Sequence, residues 1–327
     1  MVLWVGGEPY CDYATLREAV EEAERRAPDV PETICMLPGI YREQVIIYRS
    51  YLSIIGIGQV EIAMDRHARE PDGTGGEIGT FATPTLFLGG SDLRIANITV
   101  SNTAGQGAEI GQAIALTAHC DRTVFRGCTF RGYQDTLFTG PLPLSPKKGG
   151  GASFGGIEIR QTHDRYRQLY MNCRIEGTVD YIFGGASACF EHCELRSRAR
   201  TGDETSGYVT AASTPQDQAW GYVFFECLLT AEPGVPAGSV YLGRPWREYA
   251  RTVFAGCRMG DHIHPSGWHD WNQPANRQTV DYREYGAAAA AFPAARADWT
   301  VSRPIGAEAW NKESLFPDDP FWASYRE

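Results

Sequence analysis

Thr123-Val-Phe-Arg-Gly-Cys-Thr-Phe-Arg131 sets an aromatic residue, a cysteine and a second apolar residue at fixed spacing: Phe125, Cys128 and Phe130. The same arrangement recurs as Tyr170, Cys173 and Ile175, then as Phe190, Cys193 and Leu195. It returns as Phe224, Cys227 and Leu229, and as Phe254, Cys257 and Met259. Weaker copies are Leu52, Ile55 and Ile57, and Ile95, Ile98 and Val100. Each copy is a short apolar run of period 2, the pattern of a half-buried strand. Copies recur at intervals of 20 to 45 residues, the periodicity of a solenoid. The long helical patterns that a βαβ winding needs between its strands are missing. A parallel β-helix remains, one coil per interval. It stacks the five cysteines in an interior column, where they act as small buried hydrophobes. The two longest intervals, 43 residues after Leu52 and 45 after Phe125, need an extra coil or a long loop.

The ends of a solenoid need caps. Residues 14–27 carry Leu16, Ala19, Val20 and Ala23 along one stripe, which predicts an amphipathic helix over the N-terminal end. Beyond about residue 260 the repeat fades into a Trp-, Pro- and Ala-rich tail, read as irregular segments and short helices. Residues 139–156 read as a long loop. No second domain is visible, so residues 1–327 form one domain. With 43% hydrophobic and 21% charged residues the chain is globular. A net charge of −10 argues against nucleic acid as a partner. No apolar run reaches the length of a membrane span, so no membrane partner is expected. The N-terminus lacks a basic stretch followed by an apolar one, and nine cysteines do not suggest a disulfide scaffold. Together these predict free thiols and a cytoplasmic location. A chain that had lost a leader would instead be extracellular.

Asp135 follows Cys128 by seven residues, and Asp180 follows Cys173 by seven. If the cysteines stack, the aspartates stack too, one rung apart. Neighbouring strands lie about 4.8 Å apart. Two carboxylates that close cannot both ionise freely, so one holds its proton while the other stays charged. That pairs a general acid with an ionised nucleophile or base. Surface turn residues would show the same spacing.

The words around the pair are Gly132-Tyr-Gln-Asp-Thr-Leu-Phe138 and Gly177-Thr-Val-Asp-Tyr-Ile-Phe-Gly184. Tyr241-Leu-Gly-Arg-Pro-Trp246 follows them, and Gly39-Ile-Tyr-Arg-Glu43 and Gln112-Ala-Ile-Ala115 precede them. In this order, from about Val5 to about Trp322, the sequence resembles the pectin methylesterase family. The resemblance implies a right-handed, single-stranded parallel β-helix of the pectin lyase-like kind. It also implies hydrolysis of galacturonate methyl esters in pectin or in oligogalacturonides. Asp180 would be the nucleophile, and Asp135 the acid that protonates methanol and then activates water. Gln112 and Gln134 would donate to the oxyanion, and Arg244 would hold Asp180 ionised. Trp246 would form part of the sugar-binding wall, with Phe183, Tyr181, Phe138 and Val179 lining the cleft. The substrates would be methylesterified galacturonan or oligogalacturonides, with no cofactor and no metal.

Residues 139–164 depart from the family: the stretch between the two aspartates is longer than expected. It is either a wall at one end of the cleft, with Lys147 and Lys148 meeting free carboxylates, or a solvated loop or subunit contact. Gly151-Ala-Ser-Phe-Gly155 matches a nucleophile-elbow pattern, but no buried strand precedes it. His262 with His264, and Cys189 with His192 and Cys193, are candidate zinc ligands, although the column already claims Cys193. Asn97-Ile-Thr99 is a sequon on a strand repeat. Cleavage of the pectin backbone by a hydrolase or lyase, hydrolysis of another acyl ester, and carbohydrate binding without catalysis stay open as alternatives.

Overall fold

The computed structural model describes residues 2–143, 156–202, 206–286, 295–303 and 319–324. Strands of three parallel sheets alternate along the chain. The first sheet has eleven strands, from Val2–Val5 to Val301–Arg303. The second has eight, from Gly39–Arg42 to Arg258–Met259, and the third seven, from Val45–Ile47 to Val240–Gly243. Each strand pairs with its counterparts one coil before and one coil after. The fold is an all-β parallel β-helix with three faces, as expected.

The repeated word is a corner, not a single strand. Phe125 lies in a strand of the first sheet, Thr123–Arg126, and Phe130 in a strand of the second, Thr129–Arg131. The residue before each ladder cysteine has a positive φ: Gly127, Asn172, His192, Glu226 and Gly256. Left-handed backbone at one residue turns the chain sharply enough to change sheets. Asn97 takes the same place before Ile98, so the sequon asparagine sits at an exposed corner.

Inside, Phe125, Tyr170, Phe190, Phe224 and Phe254 form one stack, with centroids 4.5, 4.4, 4.6 and 4.4 Å apart in succession. Ring spacing this close to the strand spacing lets each ring pack on the next without strain. The cysteines form a second column. Cys173 donates to the carbonyl of Phe125, Cys193 to that of Tyr170, Cys227 to that of Phe190 and Cys257 to that of Phe224. A thiol is small enough for the corner and satisfies a carbonyl there. All nine cysteines are free thiols.

The first weak copy is slipped by two residues. Ile54, not Leu52, pairs with Ile95, and Ile57 is exposed. Leu52 and Ile54 both face inward, so a period-2 pattern does not separate them. The long intervals contain no extra coil: Ser53 pairs directly with Arg94, and Phe125 with Tyr170. Both hold long loops. The tail also holds more sheet than expected, since Asp281–Tyr285 continues the first sheet beside Arg251–Ala255.

The N-terminal cap is the helix Leu16–Arg25, shorter at both ends than residues 14–27. Thr15 and Glu18 form a capping box, and the four predicted apolar residues are buried. The Glu43 carboxylate accepts from the backbone N–H groups of Leu16 and Arg17. At the other end the Arg49 guanidinium donates to the carbonyls of Ala23, Ala27 and Val30. Those two side chains tie the helix to the first coils.

Candidate active site

The third sheet points alternate residues outward. Ile46, Phe87, Thr117, Phe138, Phe183 and Ala211 stand in register across neighbouring strands. Asp135 and Asp180 lie just before the strands Leu137–Thr139 and Ile182–Gly184. The Asp135 N–H donates to the carbonyl of Val179 and the Leu137 N–H to that of Tyr181, which sets the aspartates on adjacent rungs. Both have a positive φ, 63° and 50°, a conformation that aspartate tolerates better than most residues. The corner that turns the chain thereby lifts each carboxylate out of the sheet.

Gly177 gives the backbone room here. A Cβ on it would collide with the Cβ of Tyr181 and with the carbonyl of Tyr133 one rung earlier. The Thr136 hydroxyl donates to the carbonyl of Glu176 and fastens the two corners together.

Arg244 closes on Asp180 with two parallel hydrogen bonds, Nε to Oδ1 at 2.8 Å and Nη2 to Oδ2 at 2.7 Å. Its guanidinium is sandwiched between Tyr208 at 3.9 Å and Trp271 at 3.8 Å. Planar stacking and a bidentate fork fix the guanidinium in one orientation. Burial works against the Arg244 charge, but the Asp180 hydrogen bond and charge outweigh it and raise its pKa. Among the described residues Asp135 has no such partner. Loss of water around its carboxyl raises its pKa well above the ordinary range, the Asp180 charge raises it further, and the more distant Arg244 only partly opposes this. One carboxyl is therefore built to keep its proton, and the other is held by a fixed cation.

Gln112 and Gln134 line the same end of the sheet. The Ala113 N–H donates to the carbonyl of Gln134, so the two glutamines come from neighbouring coils. Both are partly exposed, and among the described residues no protein group engages their side-chain amides. Trp246 is half-open and stands edge-on to Phe183 at 5.7 Å. Phe138 and Phe183 contact each other at 5.1 Å and form the apolar floor. Val179 is nearly buried beside Asp135.

Tyr181 does not line the cleft. Its ring is fully buried in the interior, and its hydroxyl pairs with that of Ser197. Tyr181 and Ile182 are both inside, so Tyr181 does not share the outward face of Phe183 two residues on.

The other candidates lie elsewhere. Ser153, Lys147 and Lys148 fall outside the described residues. His264 stacks on Tyr241, and Cys193 faces the interior. Among the described residues no three His, Cys, Asp or Glu side chains are grouped to hold a metal. An open hollow of about 520 Å³ beside Leu229, Met259 and His262 lies on the second sheet, away from the aspartates.

The pectinesterase profile matches residues 3–141 and 161–314. The chain belongs to the pectinesterase family. It is 33% identical to probable pectinesterase A of Aspergillus flavus, over 94% of this chain and 84% of that protein. The chain spans about half the length of several plant relatives it matches. Among them is the probable pectinesterase/pectinesterase inhibitor 64 of Arabidopsis thaliana, 28% identical over 90% of this chain and 47% of that protein. Its fold is similar to that of pectin methylesterase from carrot, with a TM-score of 0.74 at 30% identity over 93% of this chain and 88% of the other.

Two residues packed on Arg244, Tyr208 and Trp271, are not among the candidates that the sequence offers. Tyr208 is the register partner of Tyr241 and stacks on it at 5.3 Å. The matching words Tyr208-Val-Thr and Tyr241-Leu-Gly carry a signal for it. Trp271 comes from the irregular tail, where no repeat marks a position.

Proposed function

We propose that the protein hydrolyses methyl esters of galacturonate units in pectin or pectin-derived oligogalacturonides, with Asp180 as nucleophile and Asp135 as acid and base. The observation that carries this reading is the asymmetry of the pair: Arg244 grips both oxygens of Asp180, while burial and the Asp180 charge keep Asp135 protonated. An Asp180 oxygen attacks the ester carbonyl carbon. The resulting oxyanion accepts from the Gln112 and Gln134 amides, each worth roughly 3 kcal/mol at such a site. The carbonyl re-forms, the bond to methoxide breaks, and Asp135 gives its proton to the leaving oxygen. The product of this half is methanol and an acyl anhydride on Asp180. Asp135, now ionised, takes a proton from water, which attacks the same acyl carbon. Asp180 leaves as a carboxylate, Asp135 is protonated again, and the freed galacturonic acid gives its proton to solvent to become galacturonate.

Trp246 and the floor of Phe138 and Phe183 offer flat apolar surface to sugar faces. A protein of net charge −10 repels the newly ionised product, which favours its release. Methanol release from methylesterified galacturonan in the presence of EDTA tests the reading. Wild type is expected to release methanol, and Asp180→Ala to lose about 10⁴-fold or more while keeping its fold. Full activity in that variant would overturn the assignment. Backbone cleavage without methanol release would instead support a hydrolase or lyase.

A further inference from the structure

The outward row of the third sheet is unevenly covered. Toward the C-terminal end Tyr208, Tyr241, Trp246 and Trp271 stay partly exposed. At the rung of Asp135 and on the coils before it, Phe138, Thr117 and Phe87 point outward and are nevertheless fully buried. The Thr117 hydroxyl is dry and has no partner among the described residues. A side chain with a polar atom stays dry on an outer face only when other chain seals it.

The seal comes largely from the returning part of the long loop. Ile157 and Leu142 pack into the cluster of Phe87, Phe138 and Phe183, joined by Phe81 from an earlier loop. The Tyr48 hydroxyl donates to the carbonyl of Glu158, and the Arg160 guanidinium lies 4.1 Å over the Tyr48 ring. His163 Nε2 meets the carbonyl of Gly89 at 3.1 Å, and the Tyr166 hydroxyl pairs with His119 Nε2 at 3.2 Å. These contacts span the rungs from Phe138 back to Tyr48 and fix residues 157–166 against the sheet. The pectinesterase profile skips residues 142–160, so Leu142, Ile157, Glu158 and Arg160 lie outside the pattern that it matches.

We infer that residues 157–166, with Leu142, close one end of the substrate groove, so that esters are removed only within a few sugars of one chain end. This rests on the esterase reading above. Each rung advances about 4.8 Å along the solenoid. The cover is complete at Thr117, one rung past Asp135, which leaves space for a short stub of sugar chain on that side. The open side, along Trp246, Trp271 and Tyr241, takes the rest of the chain. A long polymer then reacts at an end only, whereas every short oligomer presents an end. Rejection here is steric and acts on the wrong substrate, not through extra attraction for the right one.

The test is the position of the first ester lost from a fully methylesterified hexagalacturonide, read by fragmentation mass spectrometry. Wild type is expected to remove groups near one terminus at least about tenfold faster than from the middle. Replacing residues 143–160 by a short Gly-Ser linker is expected to bring the middle positions within about twofold of the terminal ones. Even removal along the hexamer by wild type, with methanol released, overturns the closed groove and leaves the esterase reading standing. No methanol from the hexamer or from polymer overturns both. A terminal preference that survives the linker replacement in a folded variant overturns the role of this segment.

Discussion

Two columns of side chains run along the same solenoid and obey the same spacing with opposite consequences. Inside, rings and thiols repeat from coil to coil, and stacking like on like is favourable because the groups are neutral and apolar. Outside, Asp135 and Asp180 also repeat by one coil, and stacking like on like is unfavourable because both are acids. The repeat therefore builds a core where it is apolar and a coupled pair of acids where it is acidic. What separates the two aspartates is not their rung but what surrounds them: Arg244 reaches Asp180 from two coils further on, and among the described residues nothing equivalent reaches Asp135.

Mutations in the two columns should fail differently. The largest effect belongs to the outer one. Asp135→Asn removes the proposed acid and base and is expected to lower methanol release by about 10²–10⁴-fold. The same change should stabilise the fold at neutral pH. The folded-state pKa of Asp135 lies above its unfolded value, so its contribution is present below the unfolded value and lost as pH rises through the folded one. Denaturant midpoints measured from pH 4 to pH 8 should show the variant gaining on wild type as pH rises. A variant less stable than wild type throughout would contradict the pairing.

The inner column should show the reverse. Tyr170→Ala leaves a hole in the middle of the stack, between Phe125 and Phe190, and is expected to cost about 3–5 kcal/mol of stability. Methanol release per folded molecule should be close to wild type, since the ring lies on the far side of the backbone from the aspartates. Urea melts and activity on the folded fraction check both halves. The smallest effect is expected from Cys193→Ala, which loses one sulfur and its weak hydrogen bonding to the carbonyls of Tyr170 and Glu191. A loss of about 1 kcal/mol, with no change in activity, fits a packing role. A large loss of activity would give the thiol column a part in the chemistry.

The two columns were also unequally legible in sequence. The interior one was readable because inward residues must suit their neighbours one coil away, so Phe125, Tyr170 and Phe190 announce each other. The aspartates were readable because seven residues separate each from its cysteine, whatever the loops between coils do. Arg244 came only with the resemblance to a family, since nothing in its local pattern says that it turns toward Asp180. Tyr208 and Trp271 were missed because a stacking partner is chosen by three-dimensional proximity between coils, which loop lengths hide. Tyr181 comes with the resemblance alone, and the left-handed corner at Asp180 leaves it and Ile182 both facing the interior. The slip at Leu52 arises because a period of 2 fixes the face but not the register.

The central claim is that one carboxyl of the pair is protonated while the other is held charged. Its most direct test is a carboxyl-carbon NMR titration of aspartate-labelled protein, comparing wild type with Asp135→Asn and Asp180→Asn. One aspartate in wild type is expected to titrate well above the ordinary carboxylate range. That signal should vanish in Asp135→Asn. In Asp180→Asn it should move down only part of the way, because burial is the larger cause of the rise and the Asp180 charge the smaller. A wild-type spectrum in which every aspartate titrates in the ordinary range, or a raised signal that persists in Asp135→Asn, would contradict the account.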